Sequence, residues 1–243
     1  MQAERPRIEE AIQAVLKRDG FRVTRAPSEH AGGKWRFRCP GALEGEVTLE
    51  VDLNFMLRVP LWPVVVRASR PVGSLRVEGV PVVDEHELAA GKLSALLSRR
   101  ASRDLYDAHG LLTRGGLDPV RLRLAFTVYG AMNRRDWRTV GVEDVALDVQ
   151  EMRQKLLALL REPEVAMMGD PAARGRRLVE ECRAALGAVL PLAASEREFL
   201  DRLLEHGEVQ PSLLTEDPDL ADRIRRHPGL AWKALNVRHH RGL

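Results

Sequence analysis

Apolar residues recur at helical spacing over residues 5–19, where Ile8, Ala11, Ile12, Val15 and Leu16 share one face and Gly20 follows as a stop. The period then changes to two. Phe21–Thr24 is a short candidate strand. Trp35, Phe37 and Cys39 alternate with Lys34, Arg36 and Arg38, Pro40-Gly41 opens a turn, and Val47–Phe55 returns. The returning strand sends Val47, Leu49, Val51, Leu53 and Phe55 one way and Thr48, Glu50, Asp52 and Asn54 the other. Residues 58–73 are punctuated by proline around a short strand at 64–67, and two further strands are predicted at 75–77 and 80–83. Asp84-Glu85 opens a helix that runs to about Arg100, and Ser102 is expected to cap a second that ends near Leu112.

Thr113–Pro119 reads as a linker, and strand signals stop there. Amphipathic helices are predicted at about 120–133, 142–160, 172–190, 195–206 and 220–237, with Pro163 and Pro191 between them. The pattern therefore gives a mixed α/β part over residues 1–115 and a helical part over 116–243.

Composition narrows the class. In 243 residues, 44% are apolar and 30% charged, enough for a folded core. No apolar run is long enough to span a bilayer, and the first residues lack an apolar leader core, so the cytoplasm is the expected location and no membrane partner is expected. Cys39 and Cys182 lie far apart and outside metal-ligand spacing, which makes them reduced packing residues. A net charge of +3 permits a nucleic-acid partner without requiring one. Five lysines stand against 33 arginines, which singles out Lys92.

Lys92 falls on the apolar stripe of its helix, one turn from Leu88 and from Leu96. It is either a lysine snorkelling from the core edge or a point charge that holds phosphate. Arg103, Asp104 and Asp107 follow in the first turns of the next helix. Arg103 and Asp107 are spaced to pair, and acids there also suit a helix N-terminus without any chemistry. Glu50 and Asp52 are two carboxylates on one strand face, able to hold a divalent cation or act as a base, or simply to pair with Arg36 and Arg38 across the sheet. The histidines are scattered, and no Ser-His-Asp order, phosphate-binding glycine loop or zinc spacing occurs.

The stretch HELAAGKLSALLSRRASRDLYDAHGLL (His86–Leu112) resembles the AbiEii/AbiGii-type nucleotidyltransferase toxins, and LEVDLNFMLRVPLW (Leu49–Trp62) and HPGLAWKALNVRHH (His227–His240) are similar to the same family. The resemblance implies an α+β fold: a partial polymerase-β-like core, with a short mixed or antiparallel sheet and helices, followed by an α-helical C-terminal domain. It implies transfer of a nucleoside monophosphate from an NTP, with Mg²⁺ or Mn²⁺, to an acceptor RNA such as tRNA, in a toxin–antitoxin or phage-defence setting with a cognate antitoxin. Asp52 then matches the strand carboxylate that serves as base and metal ligand. Lys92 matches the helical lysine on the nucleotide phosphates, Asp104 and Asp107 the acidic catalytic motif, and Arg103 a carboxylate-holding or phosphate-touching cation. The family's Gly-Gly or Gly-Ser turn and Asp-x-Asp strand are not matched ahead of these segments, so the core is expected to be N-terminally incomplete. The alternative is a degenerate, non-catalytic module of the same fold that binds RNA or a protein partner. The leading reading expects Asp52, Lys92 and Asp104 to line one cleft.

Overall fold

A computed structural model describes residues 4–26, 32–41 and 44–242. The chain packs as two compact units, residues 1–58 and 59–243.

In the first unit, α1 (Glu4–Arg18) ends where Gly20 takes a positive φ of 84° and the Phe21 N–H closes back on the Leu16 carbonyl. Strands β1 (Arg22–Arg25), β2 (Gly32–Pro40) and β3 (Glu46–Asn54) form an antiparallel meander in the order β1-β2-β3. The alternation sets its two faces. Trp35 and Phe37 are buried on the central strand and stack at 6.1 Å, opposite Val51 and Leu49. The other face carries charge, with Lys34 opposite Asp52 and Arg36 opposite Glu50. Val47 and Leu49 on the edge strand and Ile8 and Val15 on α1 stay exposed.

The second unit opens with a small hairpin, β4 (Val65–Arg67) against β5 (Val80–Val82). The strand expected at 75–77 does not form. Only Leu75 pairs, in an isolated bridge to Val72, and Val77 bonds back to Ser69 through its N–H and carbonyl. Asp84 caps α2 (Glu85–Arg99) by accepting from the His86 N–H. Arg100 then takes a left-handed conformation (φ 54°) that ends α2 within one residue, and α3 (Ser102–Thr113) starts at once. Ala101, not Ser102, occupies the cap position, and the Ser102 N–H is taken by the Glu151 carboxylate at 2.9 Å.

The helical remainder comprises α4 (Pro119–Ala131), α5 (Val149–Glu151), α6 (Glu162–Met168), α7 (Pro171–Leu186), α8 (Ala194–His206), α9 (Pro218–Arg225) and α10 (Pro228–Arg241). Three departures from the sequence reading share one cause, local capping. Asp148 caps α5 with two bonds and so splits the helix expected over 142–160, which continues beyond α5 as a π turn and a 3₁₀ turn. Pro163 starts α6 rather than breaking a helix, and Pro228 with its capping His227 divides 220–237 into α9 and α10. Leu93, Leu96 and Leu97 of α2, Leu105 of α3, Phe126 of α4 and Phe199 of α8 belong to one continuous core. Close approach is built in at Gly130, where a Cβ would collide with the buried Trp137 ring. Packing thus runs across residue 115, with α2 and α3 sharing a core with helices on its far side.

Candidate active site

Two acid–base pairs join α2 to α3, and the tight Arg100 turn makes both possible. Lys92 Nζ donates to Asp107 Oδ2 at 2.7 Å, with the two side chains 40% and 43% exposed. Seven residues on, the Arg99 guanidinium grips Asp104 in a fork, 2.8 Å and 3.1 Å to its two oxygens, and that carboxylate is only 3% exposed. Asp107 therefore pairs with Lys92 rather than with Arg103, which points outward and is exposed. Leu88 and Leu96 flank Lys92 as expected, but only Leu96 is buried, so the ammonium sits at the core's rim.

Behind this pair lies a residue that the sequence reading missed. Glu87 is buried, and its carboxylate accepts from the Leu61 N–H at 2.9 Å, the Trp62 N–H at 3.2 Å and the Tyr129 hydroxyl at 3.0 Å. Burial holds its carboxyl above the ordinary range, and the Tyr129 hydroxyl beside it is raised too, again mainly by burial. The signal was its position: Glu87 shares a helical face with Ala90 and Leu97, both buried. Arg121 lies 4.4 Å over the Trp62 ring and also reaches Asp84 at 3.1 Å. His86 accepts the Asp118 N–H on Nε2, which leaves Nδ1 to donate to Asp84 at 2.7 Å. His86 is thus a strut between the Asp84 cap of α2 and the start of α4, while Glu87 holds the Leu61-Trp62 turn. Cys182 is buried, and burial pushes its thiol up to about 11, which fits packing and not nucleophilic chemistry.

In the first unit, Asp52 is exposed on β3 beside Glu50. Lys34 Nζ reaches both, Glu50 at 2.7 Å and Asp52 at 3.6 Å, and Arg36 adds a bond to Glu50 at 2.8 Å. The Lys34 hydrogen bond, then that of Arg36, lowers the Glu50 carboxyl, and the same Glu50 bond raises Lys34. Arg38 turns to Glu46 instead. Among the described residues no three His, Cys, Asp or Glu side chains are grouped to hold a metal ion. Asp52 with Glu50 offers two carboxylates already claimed by an ammonium, a set that does not by itself make a metal centre.

A lysine–aspartate pair open to solvent at the mouth of a helical turn can exchange its carboxylate for a phosphate without unfolding anything. Among the described residues no helix is long and apolar enough to cross a membrane. No curated protein and no solved structure matches the chain. The family model for the nucleotidyl transferase AbiEii toxin of type IV toxin–antitoxin systems matches residues 1–206, a span that takes in Asp52, Lys92, Arg103, Asp104 and Asp107 and stops short of α9 and α10, so the likeness read at His227–His240 lies outside the match. The chain belongs to the AbiEii nucleotidyl transferase toxin family.

Proposed function

We propose that this chain transfers a nucleoside monophosphate from an NTP to an acceptor RNA, a tRNA in particular, in the cytoplasm, as the toxin of a pair that serves phage defence or growth control. The half-exposed Lys92–Asp107 pair carries this reading. It holds a compact cation at the surface of the segment that most resembles the family, where Lys92 meets the NTP phosphates and Asp107 orients it. Asp104, clamped by Arg99, fixes the start of α3 and so the place of Asp107. Arg103 is free to add a second cation to phosphate. In the transfer, an acceptor hydroxyl oxygen bonds to the α-phosphorus, the bond to the bridging oxygen breaks, and pyrophosphate leaves. Asp52 takes the hydroxyl proton. Mg²⁺ or Mn²⁺ is the cofactor of this class, and Asp52 is one oxygen donor that would need others. Residues 1–115 supply the catalytic residues and 116–243 receive the acceptor or a cognate antitoxin, a division of roles and not of packing, since the core is continuous across residue 115.

A second reading, a non-catalytic module that binds RNA or a protein, is favoured by the lack of a grouped metal-ligand set among the described residues. Radiolabelled NTPs incubated with tRNA and divalent metal separate the two. Label that appears in RNA and disappears in Lys92→Ala supports transfer. Label transfer that Lys92→Ala leaves untouched removes the pair from the chemistry, and no transfer under any NTP favours the binding module.

A further inference from the structure

Outside the acid–base pairs, a groove of about 400 Å³ runs between the end of α4 and the face of α10. Asn133 and Arg134 form one wall, and Trp232, Lys233, Asn236 and His240 the other. Trp232, Asn236 and His240 follow at intervals of four, so they line one stripe about 12 Å long at 1.5 Å per residue. Three observations set this stripe apart. First, Trp35 and Trp137 are buried and Trp62 lies under Arg121, whereas Trp232 is 53% exposed. Second, among the described residues no carboxylate lines the groove and α10 contains no acidic residue; Asp136 is near enough to act on Lys233 but is taken up by Arg138. Third, its polar groups are unequally used. Lys233 is fixed by a 2.7 Å bond to the Asn133 carbonyl, and the Asn133 amide is consumed by Ser94, Ser98 and the Arg135 N–H. Arg134 and the Asn236 amide have no hydrogen-bond or ion-pair partner among the described residues. Gly229 lets the start of α10 lie close to Met132, because a Cβ there would meet the Met132 sulfur and force that side chain to shift.

An exposed indole beside an unused amide, with cations on both walls and no carboxylate among the described lining residues, is the chemistry that receives an unpaired nucleotide: a flat face for the base, an amide for its edge and positive charge for the backbone. We propose that this groove binds a single-stranded segment of RNA, with one base stacked on Trp232, Asn236 at its edge and Arg134 and Lys233 toward the phosphates. Duplex RNA is excluded because its bases have no free face to offer the indole. The proposal rests on the reading that the acceptor is RNA and gives it a place of contact, on a helix beyond the residues that match the family. Leu235, one turn from Trp232, is exposed as well, so a protein partner such as an antitoxin is the competing occupant.

The test uses the full chain, a labelled unpaired RNA oligonucleotide and the same strand annealed to its complement. Binding is read by anisotropy and by tryptophan emission. The unpaired strand is expected to bind more tightly than the duplex and to quench emission. Trp232→Ala weakens it about 5- to 100-fold. Trp232→Phe, which keeps a ring, loses most of the quench but only part of the affinity. Arg134→Ala lowers the slope of log K against log salt by about 0.7, the value for one phosphate contact on a single strand. Equal affinity in wild type and Trp232→Ala, or equal affinity for strand and duplex, overturns the groove. So does an antitoxin that shields Trp232 while RNA does not. NTP binding in the same samples separates the two readings. Trp232→Ala that binds NTP and RNA like wild type sinks the groove alone, whereas wild type that binds neither sinks the transferase reading with it.

Discussion

The two pairs between α2 and α3 use the same chemistry for opposite ends. Arg99–Asp104 is a planar fork on a carboxylate that water barely reaches, and Lys92–Asp107 is a single contact that water reaches from both partners. A buried carboxylate must keep its cation, because losing it leaves a charge with neither partner nor solvent. An exposed pair costs little to open, because water replaces each partner. The difference assigns rigidity to one pair and availability to the other, seven residues apart on the same helix. It also explains why an arginine stands at position 99 and one of only five lysines at position 92.

The largest expected break in this symmetry is Lys92→Ala, which should lower nucleotide transfer by roughly 10²–10³-fold, or about 3–4 kcal/mol of transition-state stabilisation. Stability should change by well under 1 kcal/mol, because the pair is half exposed. Initial rates and urea midpoints on one preparation check both halves of the statement. Arg99→Ala should do the reverse. Asp104 would be stranded, and stability should fall by about 2–3 kcal/mol, less than a fully buried pair loses because solvent reaches Arg99 and the first turn of α3 favours an acid. Transfer per folded molecule should fall less than in Lys92→Ala. Asp107→Asn comes next, at about tenfold on transfer, since the amide still positions the ammonium but no longer balances it. If Asp107→Asn costs stability as Arg99→Ala does, the two pairs are not different in kind.

These pairs mark where the sequence was legible and where it stopped. Lys92 was visible as a cation on an apolar stripe, and the β2–β3 hairpin was visible because Trp35, Phe37, Val51 and Leu49 alternate with charge. Helix α2 emerged from its period and its Asp84 cap, and α3 from its period alone, since the expected Ser102 cap is not used. The partners did not. Arg103 is the nearest cation to Asp107 along the chain, yet Lys92 takes it from fifteen residues away. That choice depends on the left-handed Arg100, which no periodicity announces in a non-glycine residue. Asp148 and His227 act likewise as single caps that cut long amphipathic patterns which the helical period runs straight through. Trp232 fits the apolar rhythm of α10, and only its exposure in the folded chain marks it as unspent.

Glu87 sharpens the comparison most finely, because it is another acid on these helices and among the described residues no cation meets it. It is as buried as Asp104, yet its partners are two backbone N–H groups and the Tyr129 hydroxyl. Burial raises its carboxyl above the usual 4.5 against the pull of those donors, with Asp84 adding a smaller push in the same direction. Between 4.5 and the raised value the folded chain therefore holds more protons at this site than the unfolded chain. Stability must fall as pH rises through that window, the opposite of what a cation-paired carboxylate does. Glu87→Gln cannot ionise. Its amide also turns a donor toward a donor, which should cost about 1 kcal/mol at the acid end. With rising pH, wild type loses the contribution of the protonated acid while the variant does not, so the stability gap should close steadily from pH 4.5 upward. Urea unfolding of both proteins at intervals from pH 4 to 7 reads that slope directly. A gap that widens with pH would mean that Glu87 is stabilised as an anion, and that a cation reaches it as Arg99 reaches Asp104.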